Sequence, residues 1–274
     1  MIVTYLCGGL GNQLFQYAMG RHLAHLHNAE LLFDARTFAP DSIQRLPELR
    51  QFSRKLRIFE FSVSAREATA SEIAAVRDAY YTSSNFHRAV RLVRRLRPQF
   101  LWNSAHVLQR QYRFEPEALL FPDNIYLQGY WQSYKYFADI DLVIRRELRL
   151  MNNEIAESAA EAVADLKRKY GEVVAVHIRR GDNAYAHEQL RRANITSGPP
   201  VSLTYIQKAM QEFSTGTGFF IFSDSPEDIA WCRENVRGPN LEFTAAASDI
   251  WDFAAMTCCD HNIIGNSTFS WWAA

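Results

Sequence analysis

The sequence has no surplus of charge of either sign. Lys plus Arg and Asp plus Glu number 30 each, so no long-range field draws the chain to nucleic acid, and any anion it binds must be held by a local cluster. It is also poor in cysteine. Cys7, Cys232, Cys258 and Cys259 make no metal-ligand spacing, and the adjacent pair Cys258-Cys259 is a poor staple. A chain of 274 residues needs no staple, and reduced thiols in a cytosolic protein are expected. No stretch approaches the ~20 apolar residues that cross a bilayer. The opening MIVTYLCGGLGNQ has no positively charged leader and runs directly into an apparent first strand, so it does not read as a signal peptide. Internal repeats and low-complexity segments are missing as well.

What remains is the composition of a soluble globular protein, 48% hydrophobic and 22% charged, with room for one large domain or two small ones. Ile2 to Cys7 reads as a short apolar strand broken by Gly8-Gly9-Leu10-Gly11. Asn12 then caps a helix in which Leu14, Phe15, Ala18, Leu23 and Leu26 recur at near-helical spacing through His27. Glu30 to Asp34 is a second strand, and strand, glycine turn, helix, strand opens a βαβ unit. From Ala35 to Asp123 the pattern is weaker, with one helix starting at Ser71-Glu72 and another over Asn85 to Arg97. Ile125 to Tyr130 reads as strand and Tyr136 to Leu150 as helix.

The second half alternates regularly. Helices are expected over Glu154 to Tyr170 (stopped by Gly171), over Ser202 to Phe213, from Ser225-Pro226 onward, and over Ser248 to His261. Strands are expected over Val173 to Ile178, Gly218 to Phe222, Leu241 to Thr244 and Asn262 to Gly265. Such alternation predicts an α/β fold with an open, doubly wound parallel sheet. The polar break Met151-Asn152-Asn153 places a domain boundary between residues 1–151 and 152–274.

The polar chemistry sits at strand ends, and ligands of open α/β sheets bind outside the carboxyl ends of the strands. The strongest cluster is His177-Ile178-Arg179-Arg180-Gly181-Asp182. Guanidinium grips phosphate oxygens in pairs and never loses its charge, and Asp182 can brace one arginine so that its fork points at a ligand. A solvated Arg-Arg turn would explain the dipeptide alone, but His177 inside the strand end shifts the balance toward a site. The second cluster, Gly8-Gly9-Leu10-Gly11-Asn12-Gln13, lets a ligand approach the backbone at a helix start. It is not the dinucleotide fingerprint, because Leu14 stands where the third small residue belongs, and no Lys-Ser or Lys-Thr makes it a P-loop. A tight turn explains it equally well.

The third cluster, Gly265-Asn266-Ser267-Thr268-Phe269-Ser270, offers hydroxyls and N–H groups suited to phosphate, or else an ordinary cap on an aromatic core helix. Ser223-Asp224 adds a carboxylate that either accepts from a guanine N1–H and N2–H2 or caps the helix beginning at Ser225.

These motifs in this order resemble the bacterial α-1,2-fucosyltransferases of glycosyltransferase family 11. The matching stretches are GGLGNQLFQYAMGRHLA at the start, GYWQSYKYF at 129–137, HIRRGD at 177–182, FIFSDSPEDIAWCREN at 220–235 and IIGNSTFSWWAA at 263–274. The resemblance implies a GT-B fold, two Rossmann-like domains facing across a cleft, the N-terminal one (1–151) on the acceptor side and the C-terminal one (152–274) binding GDP-fucose. It implies that Arg179 binds the donor diphosphate with Arg180 in support, and that Ser267, Thr268 and Phe269 hold phosphate as well. Asn12, on the Gly9–Gly11 turn, is the implied donor contact from the other domain. His177, Asp182, Ser223, Asp224 and Asn266 complete the implied donor site, with Arg179, Asn12 and His177 placed nearest the chemistry.

The implied reaction is inverting transfer of L-fucose to the 2-hydroxyl of a terminal galactoside on an oligosaccharide or lipid-linked glycan, as in O-antigen or polysaccharide synthesis. No metal and no other cofactor is implied, and no general base is singled out.

Asp139-Ile140-Asp141 spells the Asp-x-Asp of metal-dependent glycosyltransferases, but YFADIDLVIRREL reads as an amphipathic helix start whose acids complement the dipole. Arg88, Arg91, Arg94, Arg95 and Arg97 lie at helical spacing with Ala89, Leu92, Val93 and Leu96. They form either a solvated face over a core stripe or a basic surface drawn to the anionic inner membrane. The family pattern usually continues past SWWAA, whereas this chain stops at Ala274, either naturally short or short of a C-terminal tail. Two alternatives stay open: a transferase of the same fold using another linkage or GDP-sugar, and a non-catalytic glycan-binding protein. The failed glycine fingerprint counts against a nucleotide-dependent dehydrogenase.

Overall fold

The computed structural model describes residues 1–39, 54–77, 105–109, 111, 113–180, 201–245 and 248–274. The chain divides into two units, Met1–Arg149 and Leu150–Ala274. The first is built on five parallel strands, β1 (Ile2–Tyr5), β2 (Leu31–Asp34), β3 (Arg66–Glu67), β4 (His106–Leu108) and β5 (Ile125–Gln128), in the order β3-β2-β1-β5-β4. Helix α1 (Leu10–Leu26) crosses from β1 to β2. It lies on the Thr4 face of the sheet, where a Cβ on Gly20 would run into the Thr4 hydroxyl and come within 2.8 Å of Leu31 Cδ1. Side chains alternate along a strand, so the neighbouring residue Val3 faces the other way. With Leu32 and Tyr126 it packs against Ile73 and Val76 of α2 (Ala70–Val76). Thr69 starts α2 with a reciprocal capping box to Glu72.

The second unit has four parallel strands, β6 (Val173–His177), β7 (Gly218–Phe222), β8 (Leu241–Phe243) and β9 (His261–Ile263), in the order β8-β7-β6-β9. β6 and β7 are buried along their whole length, which is why their sequences are unbroken apolar runs rather than alternating ones. α4 (Asn153–Tyr170) is capped by Asn152 and ends at Gly171, whose φ of +81° favours glycine. α5 (Leu203–Gln211), α6 (Pro226–Asn235) and α7 (Asp249–Cys258) start at the hydroxyl caps Ser202, Ser225 and Ser248. α5 and α6 cover one face, with Ile206, Met210, Cys232 and Val236 against Val174, Val176, Phe219 and Ile221. α4 and α7 cover the other, where Trp251 meets Phe220 edge-on at 6.4 Å. The short helix α8 (Thr268–Ala273) follows β9.

Three expectations need correction. Asn12 does not cap α1: Gly9 holds the cap position in extended conformation, with no side-chain cap bond, and Asn12 lies within the first turn. The expected helix over Tyr136 to Leu150 is broken into 3-10 turns at Tyr134–Tyr136 and Ala138–Ile140, followed by α3 (Asp141–Glu147). The backbone leaves the helical region at Phe137 (φ −141°) and again at Ile140 (φ −122°). Several strands also end one or two residues earlier than expected.

Asp139 lies on the second 3-10 turn and Asp141 opens α3. The expected helix at Asn85 to Arg97, with Arg88, Arg91, Arg94, Arg95 and Arg97, lies outside the described residues, as do Gly181 and Asp182. Among the described residues no helix is long and apolar enough to cross a membrane.

Each sheet reverses its strand order once, between β1 and β5 in the first unit and between β6 and β9 in the second. Such switch points open a crevice outside the strand ends.

Candidate functional site

The switch point of the second unit is flanked by the chain leaving β6 and the chain leaving β9. Ile178 N donates to Phe222 O at 2.9 Å and Ser223 Oγ donates to Ile178 O at 2.6 Å. β6 and β7 therefore release Arg179-Arg180 and Ser223-Asp224 side by side. The His177 ring is buried 5.6 Å from Phe269, which in turn meets Phe253 at 5.5 Å. Burial, and then the nearby Arg179 charge, pull His177 down to about 3. Its imidazole is neutral at physiological pH. Ser267 sits at the N-cap of α8 without capping it. Its Oγ and the Nδ1 of His177 are buried with no hydrogen-bond partner among the described residues. Buried polar atoms are nearly always paired, so two orphans flanking one crevice form a cradle that a polar ligand would complete.

The Arg180 side chain is held by α6. Its Nε lies 3.2 Å from Asp228 Oδ1 and its guanidinium carbon 3.5 Å above the Trp231 ring. Its backbone N donates to Asp224 Oδ2 at 3.0 Å. The side chain is thus clamped onto α6 and braces the strand end. Among the described residues the carboxylate that braces Arg180 is that of Asp228, and Asp182, to which the sequence reading gave such a role, lies outside them. The cap of α6 is Ser225, whose Oγ accepts from Asp228 N at 3.2 Å, so Asp224 does not cap it. Asp224 and Asn266 are exposed, and Thr268 and Phe269 are half-buried.

In the first unit the glycine turn lies at the switch point between β1 and β5. Gly8 has a φ of +78°, and a Cβ there would collide with the Asn12 carboxamide nitrogen. Gln16 accepts from Cys7 N at 3.0 Å and donates to Gly129 O at 3.1 Å, tying the exits of β1 and β5 together. Gln13, fully buried, donates to Gly8 O and Lys55 O and accepts from Arg57 N and Ile58 N, all between 2.8 and 3.1 Å. Gln132 Nε2 donates to Asn12 Oδ1 at 2.8 Å.

The structure thus gathers Gly9, Gly11 and Asn12 in the first unit, and His177, Arg179, Arg180, Ser223, Asp224 and Asn266 to Phe269 in the second. Sequence reading placed Gln13 in the glycine cluster without giving it a role and missed Gln16; their signal was two amides three residues apart among the buried residues of α1. It also passed over Asp252 as ordinary helix. Asp252 follows the end of β8 in space, accepts from the Thr244 hydroxyl at 2.6 Å and is 6% exposed. Burial pushes its carboxyl up to about 6, against the Thr244 bond and with help from Asp249.

Two parallel α/β units, each with polar residues collected outside its strand ends at a switch point, make up a GT-B type α/β fold. The sequence profile of glycosyl transferase family 11 matches residues 107–274, and the chain belongs to that family. It is 28% identical to a galactoside alpha-(1,2)-fucosyltransferase 2 from Sus scrofa over 184 residues, 63% of this chain and 51% of that protein. It therefore spans about half the length of that mammalian relative. It is 27% identical to an alpha-1,2-colitosyltransferase from Escherichia coli over 284 residues, 100% of this chain and 87% of that one. A solved structure of an Arabidopsis thaliana FUT1 mutant in complex with GDP superposes with a TM-score of 0.52 at 11% identity, covering 99% of this chain and 67% of that chain. That likeness is one of fold.

Proposed function

We propose that this chain transfers L-fucose from GDP-β-L-fucose to the 2-hydroxyl of a terminal galactoside, with inversion and without a metal ion. The observation that carries the reading is the pair of buried polar atoms, His177 Nδ1 and Ser267 Oγ, without a hydrogen-bond partner among the described residues, on the two chain exits at one switch point of a family 11 chain, with the Arg179 charge acting on His177. Both relatives named above have an α-1,2 linkage in their names, which supports the linkage.

The leaving group is GDP, so negative charge grows on the β-phosphate as the C1–O bond of the sugar breaks. A fixed guanidinium and aimed donors stabilise that charge without reorganising. In this reading Arg179 takes the diphosphate while Arg180 holds the strand end. Ser267 and Thr268 donate to phosphate oxygens, and neutral His177 contributes a hydrogen bond rather than a charge. Phe269 packs beneath it, Asp224 accepts from the guanine edge, and Ser223 and Asn266 flank the site. The acceptor hydroxyl attacks the oxocarbenium-like sugar from the face opposite GDP, giving the α product. The first unit serves the acceptor, and Asn12 on its Gly9–Gly11 turn contacts the transferring group. The acceptor is an oligosaccharide or lipid-linked glycan.

The colitosyltransferase match over the whole chain favours a second reading, with the same site and linkage but colitose in place of fucose. Incubating the protein with lactose and either GDP-fucose or GDP-colitose, with EDTA present, separates the two. A fucosylated product with its linkage at the galactose 2-hydroxyl by NMR is expected. A product only from GDP-colitose, or a different linkage, would displace the first reading.

A further inference from the structure

We infer that Gln132 is a positioning residue, which fixes the Asn12 carboxamide at the switch point of the first sheet for the transfer step. The inference rests on the role proposed for Asn12. Asn12 leaves from the β1 side of the switch point and Gln132 from the β5 side, 120 residues later. The 2.8 Å bond between them links the two chain exits that flank the switch point, where ligands of open parallel sheets are held.

The turn that delivers Gln132 is built against local preference. Trp131 has a φ of +53°, a left-handed conformation that bulky side chains avoid and that persists only where the surroundings enforce it. Here they do. The indole is fully buried and meets Tyr136 edge-on at 5.5 Å. Gln109 Oε1 accepts from both Tyr130 N, at 2.8 Å, and Trp131 N, at 3.0 Å. Gly129 has no Cβ because one would lie 2.5 Å from Gln109 Cβ, and its carbonyl is held by Gln16. Ser133 N closes the turn on Trp131 O at 2.7 Å. A plain connection out of β5 requires none of this. The strain turns the chain so that the next residue, exposed Gln132, reaches Asn12.

Asn12 is constrained from its other side too. Its carboxamide nitrogen lies where a Cβ on Gly8 would be, and Gly8 is itself left-handed at +78°. With Gln132 donating to Oδ1, Nδ2 becomes the donating edge of the amide. An amide held between a glycine and a second amide needs no reordering when substrate binds, and this is the condition under which a single contact contributes fully to rate.

The test is a double-mutant cycle on Asn12→Ala and Gln132→Glu, reading kcat and KM for GDP-fucose and lactose together with the unfolding midpoint. Glutamate keeps the size of Gln132 but cannot donate to Oδ1. Gln132→Glu and Gln132→Ala are expected to lower kcat ~10- to 10²-fold, with KM for GDP-fucose and the midpoint nearly unchanged. Neither should cost anything further in the Asn12→Ala background. Full activity in Gln132→Glu, or losses that add in the double variant, would overturn the inference. An active Asn12→Ala would instead remove the role of Asn12 on which it rests. Independently of turnover, the Asn12 side-chain amide resonances should shift in Gln132→Glu, and their staying in place would refute the bond itself.

Discussion

Replacing Arg180 by alanine separates a brace from a ligand. The guanidinium is 17% exposed and pairs with an Asp228 side chain that is 2% exposed, so the substitution takes this cation away from a buried carboxylate. Breaking a buried pair from one side typically costs about 3–5 kcal/mol. Loss of the stacked Trp231 contact, 3.5 Å below the guanidinium carbon, adds about 1–2 kcal/mol. The Ser225 hydroxyl, 3.3 Å from Asp228 Oδ2, offsets only part of that. We expect a loss of about 4 kcal/mol in urea unfolding. Asp228→Asn in the same chain should recover part of it, because a neutral amide is buried at less cost than a carboxylate. GDP affinity of the protein that remains folded should fall far less than in Arg179→Ala. An Arg180→Ala variant as stable as the native chain but unable to bind GDP would refute the reasoning, since it would make Arg180 the phosphate ligand and the clamp incidental.

Other outcomes follow from the same geometry. Gln13→Ala removes four hydrogen bonds, three that hold residues 55–58 against α1 and one to Gly8 O, and urea unfolding should register a loss of about 2–4 kcal/mol. Gly8→Ala forces a side chain into a left-handed position against Asn12, so a loss of about 1–2 kcal/mol is expected in the same assay. Asp252 titrates near 6 in the fold against 3.8 unfolded, so the folded state holds the proton more tightly. Its contribution is present below pH 4 and lost as the pH rises to about 6. Asp252→Asn should therefore gain about 1–3 kcal/mol relative to the native chain on going from pH 4 to pH 7. His177 acts with the opposite sign, titrating near 3 in the fold against 6.5 unfolded. Its contribution is present above pH 6.5 and lost as the pH falls toward 3, and His177→Gln should flatten that acid limb of the stability profile.

The second sheet was readable because its signals are local. VVAVH and GFFIF are continuous apolar runs, and Ser202, Ser225 and Ser248 each stand one residue before a helix. The strand end carrying Arg179 followed from the same pattern. β3 and β4, of two and three residues, are too short to show any alternation. Asn12 read as a cap because asparagine favours that position, yet glycine also serves there, and Gly9 occupies it. The partner of Arg180 lies 48 residues away and that of Asn12 lies 120. No window along the chain records such pairs. The left-handed backbone at Trp131 contradicts the preference of its residue type, so only the folded structure reveals it.

The central claim is a diphosphate site built on Arg179, and calorimetric titration of GDP into the native chain and into Arg179→Ala tests it most directly. Micromolar binding that persists in EDTA and is not reproduced by UDP is expected for the native chain. Losing two charge-assisted hydrogen bonds should weaken binding about 10²-fold or more in Arg179→Ala. Equal affinity in the two proteins, or no binding by the folded native chain, would contradict the account.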